Sequence, residues 1–186
     1  IAERALGSIG SGGAAAGDFA CGVLLRNTSG SATPITDIRV TFTGEQWRTV
    51  NDPGQTVSFY FQTSSSAITD LQPNNNATWT PVTALNFTSP VNNSTPASAL
   101  DGNAGANRVT ITSISIPSLS LANNQYIMLK WDDPNHAGTD HALSIDDVTI
   151  SWTLSVLPVR LTNLKATKQG SGIKIDWSNI TETNVA

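Results

Sequence analysis

Residues 130–152 read KWDDPNHAGTDHALSIDDVTISW, and this stretch decides the fold. Apolar side chains alternate with other side chains from Ile127 to Trp131, which is the two-residue period of a β-strand with one buried face. The strand is predicted to stop at Asp132, because Pro134 cannot donate a hydrogen bond to a neighbouring strand. The sequence therefore places an acidic, irregular loop after a buried strand.

A second strand follows the loop and changes phase in its middle. Its apolar residues keep one phase up to Ile145 and the opposite phase from Val148 onward. Since successive side chains of a strand point to opposite faces, one residue must be inserted between the two sets. A β-bulge at the Asp146-Asp147 pair is the simplest account of this change.

The same stretch is a candidate ion site. Calcium takes about six to eight oxygen ligands, and a short loop rich in Asp and Asn offers carboxylate and amide oxygens. An open alternative is that these side chains cap turns and the bulge by bonding backbone amides. Zinc at His136 and His141 fits less well, because the chain has one Cys and a surplus of carboxylates. The candidate ligands for Ca²⁺ are Asp133, Asn135, Asp140, Asp146 and Asp147.

The composition favours an extracellular β-protein. Of 186 residues, 39% are hydrophobic, enough to bury a core, and only 13% are charged, so much of the surface must be polar and uncharged. The net charge of −4 argues against a nucleic-acid partner, which requires clustered Lys and Arg. No apolar run is long enough for a membrane-spanning segment.

Two further expectations concern the single Cys and the ends of the chain. Cys21 has no second Cys for a disulfide within the chain, and it is expected to be a small buried side chain in an alternating run. The chain opens without Met or a signal peptide, and its last residues read as continuing structure. We therefore expect it to be part of a longer chain.

The rest of the chain predicts an all-β fold. β-prone runs such as TVSFYFQ at residues 56–62 alternate with clusters rich in Gly, Pro, Asn and Ser, without a helical period. We predict an antiparallel, jelly-roll-like β-sandwich over residues 1–154. Residues 155–186 are predicted to be a linker and a hairpin around a turn at 169–172. This hairpin would open a second domain that about thirty residues cannot complete.

Several stretches, in order along the chain, resemble a β-sandwich module of secreted and surface proteins of Bacteroidetes-type bacteria. Residues 157–184 look like the start of the fibronectin-III-like domain that precedes the sorting domain of type IX secretion cargo. The resemblance implies export and display or release at the cell surface, and it implies no settled activity. The stretches are ERALGS at residues 3–8, TGEQWR at 43–48, LDGNAGANR at 100–108 and KWDDPNHAGTDHALSIDDVTI at 130–150.

The expected function is that of a non-catalytic module, extracellular or at the outer cell surface, for adhesion or carbohydrate binding. Its expected partners are polysaccharides or other surface proteins. Aromatic faces serve as platforms for sugars, and Tyr60 and Tyr126 are the candidate ligand-binding residues because they are out of phase with their apolar neighbours.

Two alternatives stay open. The sandwich is a structural unit of a surface filament or large extracellular complex, or it is an accessory part of a polysaccharide-active enzyme. Glycoside hydrolysis would need two carboxylates converging across a cleft, and Glu45 with Asp132 or Asp146 is the pairing that could supply them.

Overall fold

The computed structural model describes residues 5–10, 17–154 and 161–179, in which nearly all regular elements are β-strands. The chain divides into two units, Ile1–Leu154 and Ser155–Ala186. A single turn of 3₁₀-helix at Thr83–Leu85 lies between two of the strands. The described strands of the first unit are β1 (Leu6–Ser8), β2 (Phe19–Arg26), β3 (Asp37–Thr49), β4 (Thr56–Ser64), β5 (Thr80–Pro81), β6 (Phe87–Thr88), β7 (Ser98–Ala99), β8 (Arg108–Ser115), β9 (Tyr126–Asp133) and β10 (Ala142–Thr153).

These strands form two antiparallel sheets that pack face to face. One sheet has the order β1-β10-β3-β7, and β8 also pairs with β3. The other has the order β2-β9-β4-β5, and β6 also pairs with β4. The predicted all-β sandwich is confirmed. Its jelly-roll character stays a prediction.

The core between the sheets is built from the alternating apolar side chains of the central strands. Phe42 of β3, Phe59 of β4 and Trp131 of β9 are almost completely buried. The Trp131 ring packs edge-on against both phenyl rings, with centroids 5.5 Å from Phe42 and 5.1 Å from Phe59. Edge-to-face pairs of this kind add about 0.5–1.5 kcal/mol each beyond burial, so the trio ties one sheet to the other.

A β-bulge interrupts the pairing of β10 with β3 where the sequence predicts it. Asp146 pairs with Thr43, but the next paired residue of β10 is Thr149, opposite Thr41. Asp147 lies between them with a φ of 52°, in the left-handed region. The extra residue re-aims the side chains without ending the strand. The predicted bulge is confirmed.

Segment 65–79 covers the outer face of the β9 sheet. Lys130 points to this face and is completely buried there. Its Nζ donates to Leu71 O at 3.0 Å and to Asn76 Oδ1 at 2.6 Å, and it lies 4.3 Å from the centre of the Trp79 ring. Burial lowers the pKa of Lys130. The Lys130 ammonium group therefore holds segment 65–79 against the outer face of β9. The alternating sequence pattern alone predicts that this face is exposed to solvent.

The second unit contains a hairpin of β11 (Leu161–Gln169) and β12 (Gly172–Asn179), and the turn falls where the sequence predicts it. Ile173, Ile175 and Trp177 of β12 are each more than half exposed. A two-stranded hairpin is marginally stable in water by itself. In the part of the chain that the structure describes, no helix is long and apolar enough to span a membrane.

Candidate binding groove

The described parts of the four stretches singled out in the sequence are connected through β3 and β10. TGEQWR lies on β3, and the LDGNAGANR loop reaches it through Leu100 N, which donates to Trp47 O at 2.8 Å. β10 pairs with β3 so that Ser144 lies opposite Glu45. On the other edge of β10, Gly7 of β1 pairs with Ser144. Stretches far apart in sequence therefore form one connected region.

Trp47 is held there in a fixed orientation. Its indole N–H donates to Glu45 Oε2 at 3.1 Å and to Ser144 Oγ at 3.0 Å. The backbone of Gly102 lies so close to the indole that a Cβ at this position would overlap it. Glu45 is 1% exposed, and the indole bond is one of its contacts. The Glu45 carboxylate of TGEQWR, two residues before Trp47, thus has a structural role in orienting the indole.

Behind the indole, Gln46 and His141 join three backbone segments. Gln46 Nε2 donates to Val91 O at 2.7 Å and to His141 Nδ1 at 3.1 Å, while Val91 N donates to Gln46 Oε1 at 2.8 Å. His141 Nδ1 also accepts from Val50 N at 3.3 Å, so its proton lies on Nε2, which donates to Pro53 O at 3.2 Å. Both ring nitrogens of His141 are therefore engaged by protein groups.

An open groove of about 680 Å³ runs beside Trp47 along β1. The half-buried Trp47 ring forms part of its wall, and Phe19 and Ile9 line it with side chains 37% and 40% exposed. Ser8 and Ser144 line the same groove, but Ser144 is buried with its hydroxyl bonded to the Trp47 indole, and the Ser8 hydroxyl donates to Asp133. Aromatic surface therefore faces one open space.

A smaller cavity of about 140 Å³ shares part of this lining and reaches the core between the edges of β1 and β2. Trp131 and Val57 line its inner end, and Cys21 and Asp133 also face it. Burial raises the pKa of the Cys21 thiol to about 11, and the Asp133 carboxylate adds to the rise. The thiol is therefore neutral, and Cys21 is half-buried rather than fully buried as the sequence predicts.

Three of the predicted ion ligands, Asp133, Asn135 and Asp140, lie together at the rim next to the groove. Asp133 is buried and accepts a hydrogen bond from Ser8 Oγ at 2.6 Å. Burial raises the pKa of Asp133; the Ser8 bond opposes the rise and the Asp140 carboxylate adds to it. Asn135 Oδ1 and Asp140 Oδ2 both face the Cα of Gly10.

The other two predicted ligands, Asp146 and Asp147, lie at the bulge of β10. Asp146 Oδ1 accepts a hydrogen bond from Asp147 N at 2.7 Å, and the Asp147 side chain is exposed. Within the described ranges, no three His, Cys, Asp or Glu side chains are grouped so that they could hold a metal ion. The bulge pair therefore serves the local backbone, and calcium binding itself stays a prediction.

Tyr60 and Tyr126 lie on the outer face of the other sheet, away from the groove residues. Both are half-buried, and each carries a cation on its ring: Lys130 Nζ lies 5.3 Å from the Tyr60 centroid and the Arg26 guanidinium 5.4 Å from the Tyr126 centroid. Stacked cations occupy part of the ring faces that a sugar would use. Their role in ligand binding stays a prediction.

The carboxylates weighed for glycoside hydrolysis have structural bonds. Asp132 lies on the outer face of the β9 sheet, where it accepts from Asn74 N at 3.0 Å and Asn76 Nδ2 at 2.8 Å. Glu45 belongs to the other sheet, beneath Trp47. Asp146 is diagonal to Glu45 across β3 and β10, but Glu45 is buried, which denies a substrate access to it.

Comparison of the chain with protein-family models, with curated proteins and with solved structures finds no match. The resemblance to a bacterial surface module therefore stays a prediction.

Proposed function

We propose that the sandwich is a non-catalytic module that binds carbohydrate, and that the groove beside Trp47 receives the ligand. An extracellular or cell-surface location is proposed from the resemblance of the four sequence stretches, and export as type IX cargo from the resemblance of residues 157–184. Adhesion to a polysaccharide, or an accessory role beside a polysaccharide-active enzyme, would use the same binding step.

The fixed Trp47 ring in an open groove is the observation that carries the proposal. Sugars place C–H faces against aromatic rings and hydroxyl groups against a few polar partners. Phe19 supplies a second ring, and Ser8 supplies a hydroxyl oxygen that can accept a hydrogen bond while its proton is donated to Asp133. Because the bonds of the Trp47 N–H to Glu45 and Ser144 already orient the indole, binding requires little further ordering of this side chain.

Affinity gel electrophoresis of the full chain in gels containing plant, algal or bacterial polysaccharides tests this proposal. We expect retardation by at least one polysaccharide, and loss of that retardation in Trp47→Ala. Trp152→Ala is the matched control, because Trp152 is an exposed Trp of the same sandwich that does not line the groove. Phe19→Ala provides a second groove variant, since Phe19 is on an edge strand and its loss is less disruptive than that of Trp47.

Three outcomes distinguish binding in the groove, binding at the tyrosines and no carbohydrate binding. Retardation lost in Trp47→Ala and Phe19→Ala but kept in Trp152→Ala supports the groove. Loss in Tyr126→Ala alone would move the site to the tyrosines predicted from the sequence. Free migration of the wild-type chain in every gel would contradict carbohydrate binding.

A structural role is the second candidate, and the exposed apolar row of β12 favours it. Ile173, Ile175 and Trp177 follow the two-residue period of one strand face. A row of this kind is normally covered by another surface. If it mediates assembly, sedimentation velocity should show concentration-dependent association that Ile175→Glu abolishes. Monomers at all concentrations would argue against this role.

A further inference from the structure

We infer that the rim between segment 5–10 and loop 134–140 binds one calcium ion through Asp140, Asn135 and Asp133. Calcium binding at this rim is independent of carbohydrate binding, because its effect on the stability of the loop can be measured without any sugar.

The decisive atom is Asp140 Oδ2. Asp140 is 4% exposed, its Oδ1 accepts a hydrogen bond from His136 N at 3.1 Å, and the same oxygen lies 3.6 Å from the His136 ring Nδ1. Its Oδ2 is buried and has no hydrogen-bond partner among the described residues. Burying a carboxylate oxygen without a partner costs free energy. A cation bound to Asp140 Oδ2 would offset this cost.

A second oxygen faces the same place. Asn135 Oδ1 would lie 3.0 Å from a Cβ on Gly10, and Asp140 Oδ2 lies even closer to that point. Both acceptor oxygens therefore lie against the Cα of Gly10, and a cation beside them can bind both, whereas they cannot bond each other. The nearby Asp133 carboxylate, which accepts a hydrogen bond from Ser8 Oγ at 2.6 Å, adds a second acidic group to the rim.

The loop that carries these ligands is already fixed by other bonds. Asn135 N donates to Asp18 Oδ1 at 2.8 Å, and Thr139 N donates to Asp52 Oδ2 at 3.0 Å. Loop amides are therefore satisfied by carboxylates outside the site, and Asp140 Oδ2 is left for another partner. Such preorganisation reduces the cost of ordering the loop around an ion.

The chemistry of these ligands selects calcium. All are oxygen atoms, which suit a hard cation better than zinc, and an irregular loop suits calcium better than the strict octahedral geometry of magnesium. Affinity for calcium depends on the number of charged ligands. With two carboxylates we expect a Kd on the order of 10⁻⁴–10⁻³ M, the range of extracellular modules.

Thermal unfolding of the full chain, stripped of metal with EGTA and titrated with CaCl₂, tests the site. We expect the midpoint to rise and saturate, by about 3–10 °C at roughly 10 mM calcium, and to respond much less to magnesium. Asp140→Asn keeps an acceptor for His136 N–H but removes the charge, and it should abolish the calcium-dependent rise. Asn135→Ala, at an exposed position, should weaken it.

Asp146→Asn is the matched control, because it removes a carboxylate at the bulge and should leave the calcium response intact. A wild-type midpoint that does not move with calcium would overturn the inference. That result would fit a rotated Asn135 amide whose N–H₂ group donates to Asp140. An undiminished calcium response in both Asp140→Asn and Asn135→Ala, or its loss in Asp146→Asn, would also overturn it. If Asp140→Asn does not fold, Asn135→Ala decides.

Discussion

Lys130 and Asp132 are joined through one side-chain amide, that of Asn76, on the outer face of β9. Asn76 Oδ1 accepts from Lys130 Nζ at 2.6 Å, and Asn76 Nδ2 donates to Asp132 Oδ2 at 2.8 Å. Both charged residues are buried, and the amide bridges them while segment 65–79 covers them. The arrangement makes two charges on a sheet face part of the structural framework.

Replacing Lys130 should therefore destabilise the sandwich. Lys130→Met keeps the length of the side chain but leaves the carbonyl of Leu71 and the amide oxygen of Asn76 without their donor, and Asp132 without a nearby cation. We expect a loss of about 3 kcal/mol in the free energy of unfolding, measured by urea denaturation. Lys168→Met, at an exposed position of β11, should change it by less than about 0.5 kcal/mol. Equal effects of the two substitutions would contradict the buried role of Lys130.

Two glycines of one loop should respond differently to alanine. A Cβ at Gly102 would overlap the Trp47 ring, whereas a Cβ at Gly105 would meet nothing within 4 Å. We expect Gly102→Ala to displace the indole, shift its fluorescence and lower the melting temperature, because overpacking costs about 1–3 kcal/mol. Gly105→Ala should behave as the wild type. Unchanged fluorescence in Gly102→Ala would show that the loop does not support Trp47.

The amide of Gln46 should matter more than its volume. Gln46→Met preserves shape but removes the bonds with both the carbonyl and the N–H of Val91, inside the protein. We expect a loss of about 2–4 kcal/mol in the free energy of unfolding, since buried backbone groups are left unsatisfied. Gln62→Met is the control, because the amide of Gln62 bonds Thr78 O at an exposed site. A cost below about 1 kcal/mol for Gln46→Met would contradict the proposed role of the amide.

Cys21 should be unreactive in the folded chain. Its pKa is raised by burial from 9.0 to about 11, so the thiolate fraction at pH 8 falls by roughly 100-fold relative to an unperturbed thiol. Alkylation by iodoacetamide, followed by mass spectrometry, should be at least that much slower in buffer than in guanidinium chloride. Comparable rates in the two conditions would show that the thiol is open to solvent and ionised.

The sequence predicts most of the backbone pattern but not the burial of charges. The bulge at Asp147 follows from the change of phase in the alternation of apolar residues between positions 143 and 150. The turn of the β11–β12 hairpin follows from its Gly residues in the same way. These are local signals, because alternation and turn chemistry act over a few residues.

The burial of Lys130 and the groove at Trp47 depend on distant parts of the chain. Lys130 is buried only because segment 65–79 folds over it, and the sequence around Lys130 does not predict this burial. Trp47 lines a groove only because β1 pairs with β10 beside it. The TGEQWR stretch offered one signal, because a buried Glu45 two residues before Trp47 needs a partner in the fold.

Hydrogen–deuterium exchange with and without the polysaccharide that retards the chain most strongly would test the central claim directly. The groove account predicts slower exchange in peptides covering residues 5–10, 17–20, 47–49 and 142–144 when the polysaccharide is present, and unchanged exchange around Trp152 and Tyr126. Slower exchange confined to β4 and β9 near Tyr60 and Tyr126, with none at the groove, would contradict it.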